Sequence, residues 1–251
     1  MKHSVLAYEC CTTGGTRRSR HLFFSRRVVA ETMGIHGLHA LLKDIERRLG
    51  LSYFRGLHVG IDGNGWLVRC SKRVKSSMPR QAKERAQCYK EAVVTETCQF
   101  FMTALTYMAQ LDMKVTIVFD GAPLPIKEEH KKRLGSHVLE DESWIMSKDV
   151  YAQIRKNLSQ QRRRYLPQLS LQLVVAPYEA DSQLAFLYRQ KVIDFVISED
   201  YDLLCYGVHF VFSKYEADGT GVLIDLHHLG AAKSAGLDFT GFDDVMFRVF
   251  W

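Results

Sequence analysis

The sequence predicts an α/β fold, a three-layer sandwich with a mainly parallel central sheet. Two observations carry that prediction. Four short apolar runs of strand length, Leu57–Ile61, Val115–Phe119, the run through Val174-Val175 and Val196-Ile197, each hand over to acids. Stretches with helical spacing lie between them. In an open α/β sheet, ligands sit outside the carboxyl ends of the strands. The acids Asp62, Asp120, Glu179, Asp181, Asp200 and Asp202 therefore fall where such a fold does its chemistry.

In chain order, residues 1–32 stand apart. They carry Arg17, Arg18, Arg20, Arg26 and Arg27 without strand or helix pattern. They read as a basic, disordered extension or a transit segment, with Met33 as an alternative start. Ile35, Leu38, Leu41, Leu42 and Ile45 predict a helix over 36–48 that stops at Gly50. After the strand to Asp62, Gly63-Asn64-Gly65 is read as a turn before a helix from about Trp66, and Ser76-Ser77-Met78-Pro79 as a loop. A long helix is expected from 85 to 110. Its apolar face is Val93, Phe100, Ala104, Leu105 and Met108.

Beyond Asp120, Gly121 to Pro125 breaks the pattern, and 126–166 is charged and mostly helical in character. Val208–Ser213 and Gly221–Ile224 form a hairpin around Asp218-Gly219. Residues 226–251 are weakly helical.

Charge is divided along the chain. From Pro177 onward there are 12 acids and 5 Lys or Arg. The overall net charge is +6, so residues 1–176 carry the whole positive excess. Basic groups recur at 69–90, 127–133 and 155–164. A basic body joined to an acidic site suits a polyanionic substrate. The six cysteines have no CxxC pair, which favours free thiols. No run is long enough to cross a bilayer.

Six acids at strand ends need neutralising. Two carboxylates about 4 Å apart repel by roughly 4 kcal/mol at an effective dielectric near 20, against a domain stability of about 5–15 kcal/mol. Protonation, or a multivalent cation among the acids, resolves this. With no His or Cys cluster competing, magnesium or manganese fits the oxygen donors. Asp200 and Asp202 share a face if that segment is extended. Glu179 and Asp181 converge only near a helix start, which Pro177 favours.

From Met33 to about Asp225 the chain resembles the nuclease core of the flap endonuclease and XPG-type family, most of all its exonuclease-one branch. Met33-Gly34-Ile35-His36-Gly37-Leu38 resembles the family's amino-terminal start. Ile61-Asp62, Val118-Phe119-Asp120-Gly121, Ala176-Pro177-Tyr178-Glu179-Ala180-Asp181 and Ser198-Glu199-Asp200-Tyr201-Asp202-Leu203-Leu204 resemble its acidic motifs.

The resemblance implies a PIN-like 5′-nuclease core over 33–251, with a helical arch at about 123–166. It implies a nuclease using two Mg2+ ions, with Mn2+ able to substitute. Its substrate is DNA with a 5′ flap, nick, gap or recessed end, in DNA repair or replication. Asp62, Asp120, Glu179 and Asp181 hold one ion on this reading, and Asp200 and Asp202 serve the second. Lys127 steers the scissile phosphate, and Arg133 stands in for the arch arginine, whose family position is Leu134 here. Gly34, Arg69, Lys72, Arg73, Lys131 and Lys132 are expected at DNA. The base-stacking position six residues after the first Asp is Val68. The nucleus is the implied compartment, with the mitochondrion as the alternative from the Arg-bearing leader.

The family's last metal acid, in a Gly-x-Asp-Tyr motif, and its helix-two-turn-helix are expected just past Trp251. The competing expectation is therefore a truncated, weakly active or inactive DNA-binding remnant. A PIN-type ribonuclease is a third.

Overall fold

A computed structural model describes residues 38, 42–79, 86–123, 147–232, 239–241 and 246–247. Seven strands form one sheet: β1 (Glu46–Gly50), β2 (His58–Asp62), β3 (Lys114–Phe119), β4 (Leu171–Val175), β5 (Phe195–Ile197), β6 (Phe210–Ser213) and β7 (Thr220–Asp225). Their spatial order is β1-β7-β6-β5-β2-β3-β4. The five from β6 to β4 are parallel; β7 and β1 add an antiparallel edge. The sheet is mainly parallel, as its apolar runs predict.

The helices are α1 (Gly63–Ser77), α2 (Ala86–Gln110), α3 (Lys148–Tyr165), α4 (Ala180–Arg189) and the single turn α5 (Asp202–Cys205). Strand alternation sorts the core into two layers. Val59 and Ile61 of β2, Phe195 and Ile197 of β5, and Phe212 of β6 pack with α1, α2 and α3. Val118, Val196, Val211 and Ile224 pack with α4 and α5. Helices thus cover both faces, completing the three layers. Gly60 lets α4 close onto β2, because a Cβ there would stand 2.8 Å from Leu184 Cδ2. On the other face Trp66 stacks on Tyr215, with centroids 5.2 Å apart, and meets Phe100 edge-on.

Three local expectations are corrected. Residues 46–48 are strand, not helix: β1 pairs with β7, Glu46 opposite Ile224 and Gly50 opposite Thr220. Pairing with the open edge of β7 outweighs the helical period there, while Leu38 and Leu42 upstream are helical and Lys43–Ile45 form a 3-10 turn. Gly63-Asn64-Gly65 is not a turn but the first turn of α1, since the Asp62 side chain accepts from the Asn64 and Gly65 amides. Ser76 and Ser77 extend α1 rather than break it, each hydroxyl donating to the carbonyl three residues back.

The long helix, its buried face and the hairpin with Gly219 at φ +81° match their sequence patterns. The extension 1–32 and most of the arch, 124–146, lie outside the described residues.

Candidate metal centre

The chain runs β2, β3, β4 outward in one direction, then returns to place β5 on the other side of β2. The crevice at that reversal is the usual ligand position of an open α/β sheet. Asp62 ends β2 on one side of it, and Ser198 follows β5 on the other. Ser198 Oγ donates to Asp62 Oδ2 at 3.3 Å and accepts the Asp200 amide at 3.0 Å. One buried hydroxyl therefore ties the first acid to the fifth across the reversal.

Asp120 is placed by a second set of bonds. The loops after β3 and β4 are zipped together: the Gly121 amide donates to the Tyr178 carbonyl at 2.6 Å, and Ala122 to Pro177 at 3.0 Å. Only glycine permits this approach, because a Cβ on Gly121 would lie 1.8 Å from the Ala176 carbonyl oxygen. Asp120 Oδ1 then accepts the Ala180 amide at 2.7 Å, at the start of α4. Glu179 is the N-cap residue of α4, and Asp181 lies in its first turn. Both stand at a helix start, as their spacing requires, in the positive field of the helix end.

The acids press on one another. Asp181 is pushed up to about 8, first by desolvation and then by Asp62, Asp200, Asp120 and Glu179. Its Oδ1 is buried without a hydrogen-bond partner. Asp62 is pushed up to about 6 by burial and by Asp120, against the lowering effect of the Gly65 and Asn64 amides and Ser198. Five of the six acids thus bear on one locus. Asp202 stands at its edge, acting with Asp200 on the half-buried thiol of Cys205. Asp200 and Asp202 are not on an extended segment: Tyr201 is helical, and the Asp202 amide donates back to Asp200 Oδ1 at 2.9 Å.

Among the described residues, no group of three His, Cys, Asp or Glu side chains is arranged to hold a metal ion as it stands. The donor set nevertheless fits a hard divalent cation. It is carboxylate oxygen alone, its central oxygen is orphaned, and its charges are held close enough to resist ionisation.

Two side chains reach this locus without any sequence signal that marked them. Asn64, buried in the first turn of α1, accepts the Asp120 amide through Oδ1 at 3.3 Å, and its Nδ2 has no partner. Tyr151, buried on α3, packs against Phe119 with ring centroids 5.3 Å apart. Its phenol is held well above its usual range, by burial first and then by the Asp120 charge, with the nearby Asn64 side chain acting in the opposite sense. Its proton is therefore retained.

Of the residues expected at DNA, Lys72 is exposed on α1. Arg73 pairs with Glu96 at 3.3 Å. Arg69 is turned inward: its guanidinium donates to the Tyr215 carbonyl and to Glu216 Oε2 at 3.1 Å, and lies over Phe100. These two bonds hold α1 to the hairpin and leave the Arg69 side chain about a third exposed. Val68 is half-buried on α1. Gly34, Lys127, Lys131, Lys132 and Arg133 lie outside the described residues.

Residues 33–140 match the XPG N-terminal domain, and residues 170–245 match the XPG I-region. Among curated relatives, exonuclease 1 of Arabidopsis thaliana is 30% identical over 231 residues, covering 85% of this chain and 29% of the relative. Exonuclease 1 of Danio rerio is 28% identical over 225 residues, covering 83% of this chain and 26% of the relative. The chain thus spans less than a third of either. Among solved structures, the catalytic core of Rad2 in complex with DNA substrate superposes with a TM-score of 0.56 at 16% identity, over 84% of this chain and 58% of that one. That likeness extends to the fold.

Proposed function

We propose that this chain, which belongs to the XPG-type nuclease family, acts as a metal-dependent, structure-specific 5′ nuclease on DNA. Its substrates are duplexes with a 5′ flap, nick, gap or recessed end, in repair or replication. The single observation that carries this reading is Asp181: a carboxylate with an orphaned buried oxygen, surrounded by Asp62, Asp200, Asp120 and Glu179. Such a locus is stable at neutral pH only when protonated or neutralised by a cation.

Asp62, Asp120, Glu179 and Asp181 would hold one divalent ion, and Asp200 with Asp202 would serve a second. Bound magnesium or manganese supplies a hydroxide nucleophile and charge stabilisation for phosphodiester hydrolysis. The chain's own residues do the positioning. Ser198 and the α1 amides fix Asp62, the Ala180 amide fixes Asp120, and the zipped loops hold the start of α4 beside both. Asn64 accepts the Asp120 amide, and Tyr151 packs against the neighbouring Phe119. Lys127 and Arg133 of the arch are proposed to steer the scissile phosphate, and Lys72, Lys131 and Lys132 to contact the backbone. The nucleus is the proposed compartment. No described helix is long and apolar enough to cross a membrane.

The test is cleavage of a 5′-flapped or recessed duplex with and without magnesium, in the parent and in Asp181→Asn and Asp200→Ala. Cutting by the variants at the parental rate would remove the site assignment. Parental cutting in EDTA would remove the metal.

A further inference from the structure

Helix α3 does two different things with its two faces. Val150, Tyr151, Ile154 and Leu158 are buried against the sheet. About a third of a turn round, Arg155, Lys156, Arg162 and Arg163 line a groove of about 520 Å³ floored by Leu171 and Leu173 of β4. β4 is the end strand of the sheet and, among the described residues, pairs only with β3, so the groove lies along the outer edge of the described sheet. No acid lines it.

Arg155, Lys156 and Arg163 are exposed, and no ion-pair partner holds any of them among the described residues. Arg162 is the anchored member. Its Nε and Nη2 both donate to the Leu169 carbonyl, at 2.9 and 2.5 Å, fixing the end of α3 to the loop that enters β4. Four cations gathered on one wall repel one another, and an anion laid among them relieves that repulsion.

We propose that this groove binds the sugar–phosphate backbone of a nucleic acid strand, as a second contact separate from the acidic locus. From Arg155 to Arg163 the stripe runs about 12 Å at 1.5 Å per residue. That is the axial length of about three to four phosphates of one duplex strand at 3.4 Å each. The Leu171 and Leu173 side chains of the floor offer no base-edge donors or acceptors, and the cations on the wall address charge and spacing, not sequence. The same helix carries Tyr151 to the acids about one turn before Arg155, so the groove sits where DNA flanking the cleaved position can reach it. The proposal rests on the nuclease reading for the identity of the polyanion as DNA.

The experiment is fluorescence anisotropy of a labelled 5′-tailed duplex with the 251-residue chain in EDTA, from about 50 to 200 mM salt. It compares the parent, the triple variant Arg155→Ala/Lys156→Ala/Arg163→Ala, a charge-preserving Arg155→Lys/Lys156→Arg/Arg163→Lys variant, and Lys114→Ala as a cation outside the groove. All four positions are exposed, and circular dichroism checks the fold. The expected result is a salt slope shallower by about 2 to 3 for the alanine triple, at about 0.9 per lost phosphate contact. The charge-preserving and Lys114 variants are expected to match the parent.

An alanine triple with the parental slope and affinity overturns the groove while leaving the nuclease reading intact. The same holds if the triple variant self-associates with DNA binding unchanged, since its cations would then only guard the free strand edge. Competition by polyglutamate at matched charge, lost in the triple variant while DNA binding is kept, would make the occupant a polypeptide and overturn the proposal. A parent that binds no DNA at all overturns both readings.

Discussion

Asp120 Oδ1 accepts the backbone N–H of Ala180 at 2.7 Å, so the acid that follows β3 caps the helix that follows β4. One side chain thereby links charge placement to loop placement, and its two roles can be separated. Asp120→Asn keeps an acceptor at Oδ1 and is expected to melt within a few degrees of the parent while magnesium-dependent cleavage falls at least about 100-fold. Asp120→Ala loses the cap as well, and is expected to lose roughly a further 1 kcal/mol of stability by denaturant titration.

The metal-free chain should become less stable as pH rises through neutrality. Asp181 and Asp62 have folded-state values pushed up to about 8 and about 6, above an ordinary 3.8. The folded chain therefore holds more protons than the unfolded chain between about pH 4 and 8. The stability linked to these groups is complete below pH 4 and lost as pH passes 6 and then 8. Thermal melts in EDTA should show a midpoint falling over this range. The fall between pH 6 and 8 should be smaller in Asp181→Asn, which cannot ionise. A parental and an Asp181→Asn curve that run parallel would contradict the burial and crowding of this carboxyl. Added magnesium or manganese should stabilise the parent more at pH 8 than at pH 6, since ligands must be deprotonated to bind.

Gly121→Ala places a Cβ against the Ala176 carbonyl oxygen at 1.8 Å, with the Pro177 carbonyl oxygen at 2.7 Å. Backbone must move to admit it. The loops after β3 and β4 then separate, carrying Asp120 away from the start of α4. The expected outcome is a loss of about 1 to 3 kcal/mol, with cleavage reduced well beyond what that instability removes at 25 °C. Parental melting and parental rates together would show that the close approach of these loops is dispensable.

Tyr151→Phe keeps the ring against Phe119 and deletes only the hydroxyl that faces Asp120, Asp62 and Asn64. Stability should change by about 1 kcal/mol or less. Cleavage should fall by about 10- to 100-fold through loss of a group that orients metal-holding carboxylates. The magnesium concentration for half-maximal activity should rise, a readout that a purely packing role would leave unmoved. Asn64→Ala should shift the same magnesium titration in the same direction.

Much of this molecule is legible in its residues alone. The four runs that end in acids became β2, β3, β4 and β5, because strand propensity and burial favour the same Val- and Ile-rich composition, although β4 at the sheet edge is only partly buried. The position of Glu179 and Asp181 at a helix start followed from their spacing and Pro177. The errors share a cause. Residues 46–48 have helical spacing but supply backbone to the edge of β7. The Gly-Asn-Gly segment resembles a turn but is held helical by Asp62. Arg69, expected at DNA from its sequence, also donates a hydrogen bond to the carbonyl of Tyr215, 146 residues away. In each case a partner outside the segment decided the outcome, distant in sequence for β1 and immediately adjacent for α1.

The residues by themselves determined the sheet, the order of the acids along it and the need for something to neutralise them, because burial and Coulomb repulsion depend on side-chain type and local period. Only the tertiary structure decided that Ser198 bridges Asp62 to Asp200, that Asn64 and Tyr151 support Asp120, and that Asp202 stands at the edge of the cluster. Those are facts of distance between separate elements. Such distances are set by how closely helices and loops can approach, at Gly60 and Gly121 above all, and nothing in the local sequence records them.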